Sequence, residues 1–361
     1  MAKTLQQILG YENLTGIIQD PKGGIPATTL PPGFTNLRRP VEGNTAKWFA
    51  IEGNRKTARL VHYGSPSQAR DMKGVTERTA TMIHSFEHVM HDVPTLMMLQ
   101  NFENPQVQQM GQQIVDQQTG QFRQGFNNLE LAAIMKVLAA GTIYFDAGGN
   151  LLPTSSTALY TVDFQIPAGN KDQIGGIIGA SWATASTPIL GDIAAIKKLA
   201  LKNTGYPIQH AFYGASIIDY LLANTQVLAL IGGSGELAGR IAAGEIPNGF
   251  AGIPEWHPSN GAFFMDNDGT IQDIIGADVV MFTPEPSRDW WEIYEGSFPV
   301  PTNLTIAADA SGALPNFSKV YGPFSYAEVK TDPPGIKHLA GHTFLPILKV
   351  PEAVYICDVT P

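Results

Sequence analysis

The sequence predicts an α+β protein in which a β-rich domain is interrupted by a second domain and resumed near the C-terminus. Three observations carry the prediction. A single helical pattern runs from Asn104 to Gly141, strand-like alternation brackets it on both sides, and short alternating helices and strands from about Ser181 give way after Gly322 to longer alternating segments.

The helical run sets the scale. Asn104 fits an N-cap, Pro105 fits the first helical position where its missing N–H costs nothing, and Gly141 can supply the left-handed residue that ends the helix. Val107, Met110, Ile114, Phe122, Phe126, Leu129, Ile134 and Leu138 follow a three/four spacing, broken near Gln117 and Gln118, so one stripe should face apolar partners. Uninterrupted, the helix spans on the order of 50 Å at about 1.5 Å per residue. Gly111, Gly120 and Gly125 each weaken it by roughly 1 kcal/mol relative to Ala, so its first half needs tertiary or neighbouring-subunit contacts. The opposite face is mostly Gln and Asn, which suits a polar interface better than a freely solvated surface. The alternative is an ordinary core helix interrupted at Gly120.

Composition bounds the function classes. The 361 residues suffice for a large core and two or more lobes. A formal net charge of −9 describes a mildly acidic soluble protein and argues against a polybasic nucleic-acid binder. The single Cys357 excludes an internal disulfide and suits a reducing compartment, as a small buried hydrophobe. No run of about 18 apolar residues marks a membrane helix, and MAKTLQQILGYENLTG lacks the basic segment and apolar core of a signal peptide, so neither a membrane partner nor export is expected.

In chain order, residues 1 to about 45 begin with an apolar-periodic piece, Leu5, Ile8 and Leu9, and pass into IPATTLPPGFTNLRRP. Pro26, Pro31, Pro32 and Pro40 favour an extended arm with little of its own chain to hold it, so it should lie over a partner; a disordered tail is the other reading. From Thr45 to Met90 the segments KWFAIEG, TARLVHYGS and VTERTATMIHSFEHVM read as strands of a hairpin, and neither face of 75–85 is strongly apolar. Lys47, Arg55, Lys56, Arg59, Arg70, Lys73 and Arg78 make this hairpin basic, against only Glu52, Asp71 and Glu77. A projecting basic hairpin on an acidic chain points to docking on another copy of the same chain; nucleic acid is the weaker reading because interleaved aromatics are few. These seven basic residues are the candidate inter-subunit contacts.

After the helix, TIYFDAGGNLLP reads as a hairpin around Gly148 and Gly149, and Tyr160, Val162, Phe164 and Ile166 mark a half-buried strand. Thr187 is the expected cap of a helix from Pro188 through Lys202. Strand His210 to Tyr213, helix Ala215 to Ala223, helices near 227–231 and 236–243, and strands at 252–256, 262–265 and 279–282 fill an inserted α+β lobe. FSYAEVK and IKHLAGHTFLPILKV then read as strands joined by the DPPG turn, and Pro351 starts a last strand, Ala353 to Val359.

Four local patterns invite chemistry. His84, His88 and His91, beside Glu87 and Asp92, lack metalloprotease spacing and read as structural or pH-responsive. GGSGELAG lacks the lysine of a phosphate loop and reads as a flexible turn; DNDG at 266–269 lacks the glutamate of a calcium loop and reads as a β-turn. Asp289, Glu292 and Glu295 in RDWWEIYEG would suit an acid-dependent hydrolase only if they lined one pocket; the plainer reading is a strand with outward acids. No catalytic residue, metal or cofactor is assigned.

The order of these elements, with ELAAIMKVLAAGTIYFD, WWEIYEGSFPVP and FLPILKVPEAVYICDV, resembles the major capsid proteins of tailed bacteriophages, and more narrowly the lambda-type major capsid protein E family. The resemblance implies the Hong Kong ninety-seven capsid fold: an N-arm at 1–45, an extended β-hairpin E-loop at 46–86, a P-domain at 87–185 with spine helix 105–140 and β-sheet, an inserted α+β A-domain at 186–318, and a return to the P-domain with terminal strands at 319–361. It implies a non-enzymatic structural protein that assembles in the bacterial cytoplasm as pentamers and hexamers into the icosahedral head around double-stranded DNA, which it contacts non-specifically. Scaffolding, decoration and portal proteins are the further partners it raises. Some relatives of this fold crosslink an E-loop lysine to an asparagine; Lys56 is available, but nothing identifies its partner and that chemistry is not carried over. The rival readings are the shell of a cellular nanocompartment and the acid-dependent hydrolase.

Overall fold

The computed structural model describes residues 5–19, 30–51, 75–101, 103–146, 151–152, 158–172, 174, 176–231, 239–240, 245–258, 263–265, 271–273, 275–301, 305–306, 317–331 and 334–360. Helices α1 (Leu5–Leu9), α2 (Tyr11–Gln19) and α3 (Pro32–Asn36) precede β1 (Arg38–Val41). Strands β2 (Thr45–Ile51) and β3 (Val75–Thr81) pair as a hairpin, followed by β4 (Ile83–His91), α4 (Val93–Leu99) and the long helix α5 (Pro105–Ala140). Next come β5 (Thr142–Phe145), β6 (Leu151–Leu152), β7 (Tyr160–Asp163) and β8 (Lys171–Asp172). The second lobe holds α6 (Ile189–Asn203), β9 (Ile208–Tyr213), α7 (Ile217–Ala223), α8 (Thr225–Ile231), β10 (Glu255–Pro258), the pair β11 (Phe263–Met265) and β12 (Ile271–Asp273), and β13 (Val279–Pro284). The chain ends with β14 (Trp291–Pro301), β15 (Thr305–Ile306), β16 (Phe317–Tyr321), β17 (Phe324–Thr331), β18 (Pro334–Leu348) and β19 (Tyr355–Asp358).

Helix α5 is capped as its termini dictate. The Asn104 side chain accepts from the Gln106 N–H, Pro105 takes the first position, and Gly141 adopts φ 69° while donating to the Val137 carbonyl. The helix is unbroken over 36 residues, so the interruption at Gly120 does not occur. Its first-half apolar stripe is displaced by one position: Gln108, Gly111, Val115, Thr119, Phe122, Phe126 and Glu130 are buried, while Met110 is 57% exposed. The cause is close approach. A Cβ on Gly111 would lie 3.1 Å from both Leu99 Cδ2 and Met98 Cβ of α4, so a side chain of no volume serves where a larger one is excluded. From Ala132 to Leu138 every residue is buried, so this end of the helix is enclosed on all sides.

A sheet in the order β1-β14-β18-β17-β15 carries β4 on β18 and β16 on β14. Because β4 pairs with β18 over Ile83–His91, a strand that precedes α5 and one that follows the second lobe share one sheet, as the interrupted-domain prediction requires. A second sheet runs β10-β9-β13-β19-β8, so the last strand of the chain completes this sheet rather than the first. Period-two alternation lets it serve two cores. Phe212, Met281 and Ile356 join the core of α5, Phe34, Trp290, Trp291 and Phe344, while Tyr213, Phe282, Tyr355 and Cys357 join that of α6, α7, Trp182 and Trp256.

Several local expectations are corrected. The N-terminal segment, expected to find little of its own chain to hold it, packs on that chain through its described residues. Phe34 is fully buried edge-to-face against Phe212, Trp290 and Trp291, and Thr15 Oγ donates to the Ser325 carbonyl at 2.9 Å. Thr187 does not cap α6; its hydroxyl donates to the Ser181 carbonyl at 2.6 Å and the helix opens one residue later, after Pro188. Pro351–Ala353 form a 3₁₀ turn, so the last strand starts at Tyr355. TARLVHYGS, DNDG and most of GGSGELAG and of the helix expected at 236–243 lie outside the described residues; β11 and β12, which precede and follow DNDG in the chain, pair antiparallel. Among the described residues no helix is long and apolar enough to cross a membrane.

Candidate functional site

The β2–β3 hairpin has an inward and an outward face. Ala46, Trp48 and Ala50 are buried, and the Trp48 ring lies 5.7 Å from that of Phe164. Around this root the Tyr160 hydroxyl accepts from the Thr81 N–H at 2.5 Å and donates to the Thr81 carbonyl at 3.1 Å, and the Ile51 N–H donates to the Lys349 carbonyl at 2.8 Å. The outward face pairs Ile51 with Val75, Phe49 with Glu77 and Lys47 with Thr79. Phe49 is 58% exposed, Ile51 43% and Val75 60%, which leaves a contiguous apolar strip on an outward face that is otherwise polar.

Of the seven basic residues predicted to make contacts, two lie within the described residues. Lys47 is exposed on the outward face. Arg78 is half-buried on the inward one, where its guanidinium donates to the Phe164 carbonyl at 2.5 Å and to Gln165 Oε1 at 2.7 Å. Gln165 is held there with φ 55°. Arg78 therefore fastens the hairpin root to its own chain. Arg55, Lys56, Arg59, Arg70 and Lys73 lie outside the described residues. The outward strip of Phe49, Ile51 and Val75 was not singled out from the sequence, because alternation defines two faces without saying which one Trp48 will turn inward.

The acidic trio is not brought together. Glu292 and Glu295 are an odd number of residues apart on β14 and so project from opposite faces. Glu292 is buried, 2.6 Å from Lys349 Nζ, whereas Glu295 meets Arg38 at 2.7 Å and Asp289 is exposed. Glu292 and Glu295 are each held by a different cation, and a shared acid/base site is not formed.

The three neighbouring histidines also part company. His84 and His88 lie on one face of β4 and His91 on the other. His84 Nδ1 is 2.7 Å from Thr343 Oγ, and its ring clusters with those of Phe86 and Phe298 at 5.9 and 5.4 Å. His91 stacks on His338 at 5.5 Å. His338 and His342, on β18, meet Phe122 and Phe126 of α5, and burial drives the pKa of each down to about 3. The buried imidazoles under α5 are thus drawn mainly from β18, whose sequence pattern marks only an alternating strand.

Comparison with known proteins completes the description. The family model for phage major capsid protein E matches residues 22–359. None of the curated proteins matches. Among solved structures, a phage-related protein from Bordetella bronchiseptica is similar with a TM-score of 0.54 at 10% identity, over 97% of each chain. A protein described as a prophage capsid protein of Escherichia coli gives a TM-score of 0.49 at 16% identity over 80% of each chain. A virus-like particle from Pyrococcus furiosus gives 0.42 at 12% identity, over 96% of this chain and 99% of that one. At these identities likeness speaks to fold, and of the three the Bordetella structure carries it.

Proposed function

This chain belongs to the phage major capsid protein E family, and from that premise we propose that it assembles with copies of itself, as pentamers and hexamers, into the icosahedral head that encloses double-stranded DNA. We assign the N-arm to 1–45, the E-loop to 46–86, the P-domain to 87–185 with its return, expected at 319–361, moved to 291–348 because β14 and β15 lie in the first sheet, and the A-domain to 186–290 completed by β19. The observation that carries the reading beyond family membership is the hairpin: it is fastened at its root by Trp48, Arg78 and Tyr160 and apolar on its outward face. A strand pair built this way is poised to bury Phe49, Ile51 and Val75 against a neighbouring subunit. The basic side chains in the sequence between its two strands supply charge complementarity to an acidic neighbour, so assembly is salt-sensitive. A net charge of −9 suits a container, because a strongly basic inner wall would hold DNA too tightly to release it.

Electron microscopy of the purified chain after size exclusion at low and high salt tests this. Closed shells or ring-shaped capsomers are expected at low salt, and replacing Arg55, Lys56 and Arg59 together by Glu should abolish them while the subunit stays folded. A monomer under every condition, or shells unaffected by the triple replacement, would refute the proposed assembly. Shells filled with protein cargo instead of DNA in the producing cell would favour the nanocompartment reading.

A further inference from the structure

We propose that His210, Glu255 and His257 form a binding site for one divalent transition-metal cation of the zinc type. β9 and β10 run parallel with Glu255 opposite His210 and His257 opposite Phe212, so all four side chains share one face of the second sheet. His210 Nδ1 lies 3.1 Å from His257 Nε2 and 3.2 Å from Glu255 Oε2, and the last two atoms are 3.4 Å apart. Three donor atoms thus mark a near-equilateral triangle. Nitrogen and oxygen ligands held about 2.0–2.2 Å from a tetrahedral ion lie about 3.3–3.6 Å from one another, so the triangle needs to open only slightly to seat a cation. Two imidazoles and one carboxylate, with a fourth position for water, suit zinc better than a hard ion such as calcium or magnesium.

The surroundings orient the ligands. Glu285 Oε2 is 2.9 Å from His210 Nε2, placed to accept its N–H and leave the Nδ1 lone pair aimed into the triangle. Trp290 Nε1 donates to the Glu285 carbonyl at 2.8 Å and holds that residue in place. The His257 ring stacks on Phe212 with centroids 4.9 Å apart. With Glu285 holding the far nitrogen, the three donor atoms converge on one point. With its one proton given to Glu285, a neutral His210 presents a bare Nδ1 to a carboxylate oxygen of Glu255; a proton on His257 Nε2 satisfies the imidazole contact but leaves two lone pairs facing each other at 3.2 Å. A metal ion converts all three contacts into bonds. The side chain of His257 is 19% exposed and that of Glu255 46%, so the ion enters from the Glu255 side. β10 is the edge strand of its sheet, and the ion clips that edge to β9.

Cobalt(II), added to the untagged full-length chain after EDTA treatment, is the direct probe. It should saturate at one equivalent with the visible bands of a four-coordinate site, and zinc should displace it. E255Q and H257A should each weaken cobalt binding at least ten-fold, and E285Q, which touches only the far nitrogen of His210, by about ten-fold. Glu255 is partly exposed, so E255Q keeps the test alive where a histidine variant fails to fold. Absence of saturable binding, or bands unchanged in E255Q, overturns the site. So does zinc that leaves the ring-nitrogen chemical shifts of His210 and His257 unchanged. The ligands belong to one subunit, so failure here leaves the shell proposal standing.

Discussion

Arg38 of β1 grips Glu130 of α5 with both terminal nitrogens, at 2.5 and 3.1 Å. The same guanidinium reaches Glu295 of β14 at 2.7 Å, so one side chain joins the N-terminal segment, the long helix and the first sheet. Burial raises the pKa of Glu130 and Arg38 opposes that rise. For Arg38 itself burial acts to lower the pKa, but its two carboxylates outweigh burial and the net shift is upward. Removing the cation leaves Glu130 buried without a counter-charge. R38M should cost about 3–5 kcal/mol in denaturant unfolding of the subunit, while the double variant R38M/E130L, which removes both charges, should recover most of the loss. A double variant no better than the single one would mean that the pair acts through packing alone.

The glycines of α5 separate by what surrounds them. Nothing lies within 4 Å of a Cβ built on Gly120 or Gly125, so G120A and G125A should each stabilise the subunit by about 0.5–1 kcal/mol through helix propensity. At Gly111 the new methyl would press on Leu99 and Met98 at 3.1 Å, and α4 must shift to admit it. G111A should therefore be neutral or destabilising in thermal unfolding. Three equal gains would show that α4 yields without cost.

Acid should weaken the fold through the buried imidazoles. The folded chain protonates His338 and His342 only near pH 3, whereas the unfolded chain does so from about pH 6.5. Unfolded chains then bind more protons in between, so the stability is fully present above pH 6.5 and falls as the pH drops toward 3. Each histidine contributes a slope of up to about 1.4 kcal/mol per pH unit. His342 stacks on Phe344 at 4.6 Å, and among the described residues neither of its nitrogens has a hydrogen-bond partner. H342F should keep the stacking and remove that share of the slope between pH 6 and 4. Glu130 titrates in the opposite sense, so the difference between variant and parent is the quantity to measure. Parallel stability curves would exclude His342 as a source of acid sensitivity.

What could be read from the chain was what local chemistry decides. Asn104, Pro105 and Gly141 set the ends of α5 because caps depend on a few adjacent residues. The buried stripe was missed by one position because Gln108, Gly111 and Thr119 are inward for reasons of space and hydrogen bonding: Gln108 donates to the Leu99 carbonyl at 3.2 Å and Thr119 to that of Val115 at 2.8 Å. Hydrophobicity carries no trace of either. The β4–β18 pairing that closes the interrupted sheet was legible as a return to strands, but the passage of β19 into the second sheet was not, since alternation is indifferent to which sheet a strand enters. His210 and Glu255 are 45 residues apart, and only the parallel register of β9 and β10 brings them opposite each other.

The two faces of the β2–β3 hairpin should respond to substitution in opposite ways. Trp48 is 4% exposed against Phe164, so W48A should destabilise the isolated subunit by about 3–5 kcal/mol. Phe49 and Val75 are more than half exposed, and replacing an exposed side chain ordinarily changes stability by less than about 0.5 kcal/mol. F49S/V75S should therefore unfold with the parent chain yet assemble poorly, because each large apolar side chain that a neighbour covers contributes roughly 1.5–3 kcal/mol and the loss recurs at every copy. Size exclusion and electron microscopy on the same preparation separate the two effects. If F49S/V75S forms shells at the parent's concentration threshold, the outward strip is not an assembly surface and the basic residues between the strands must act without it.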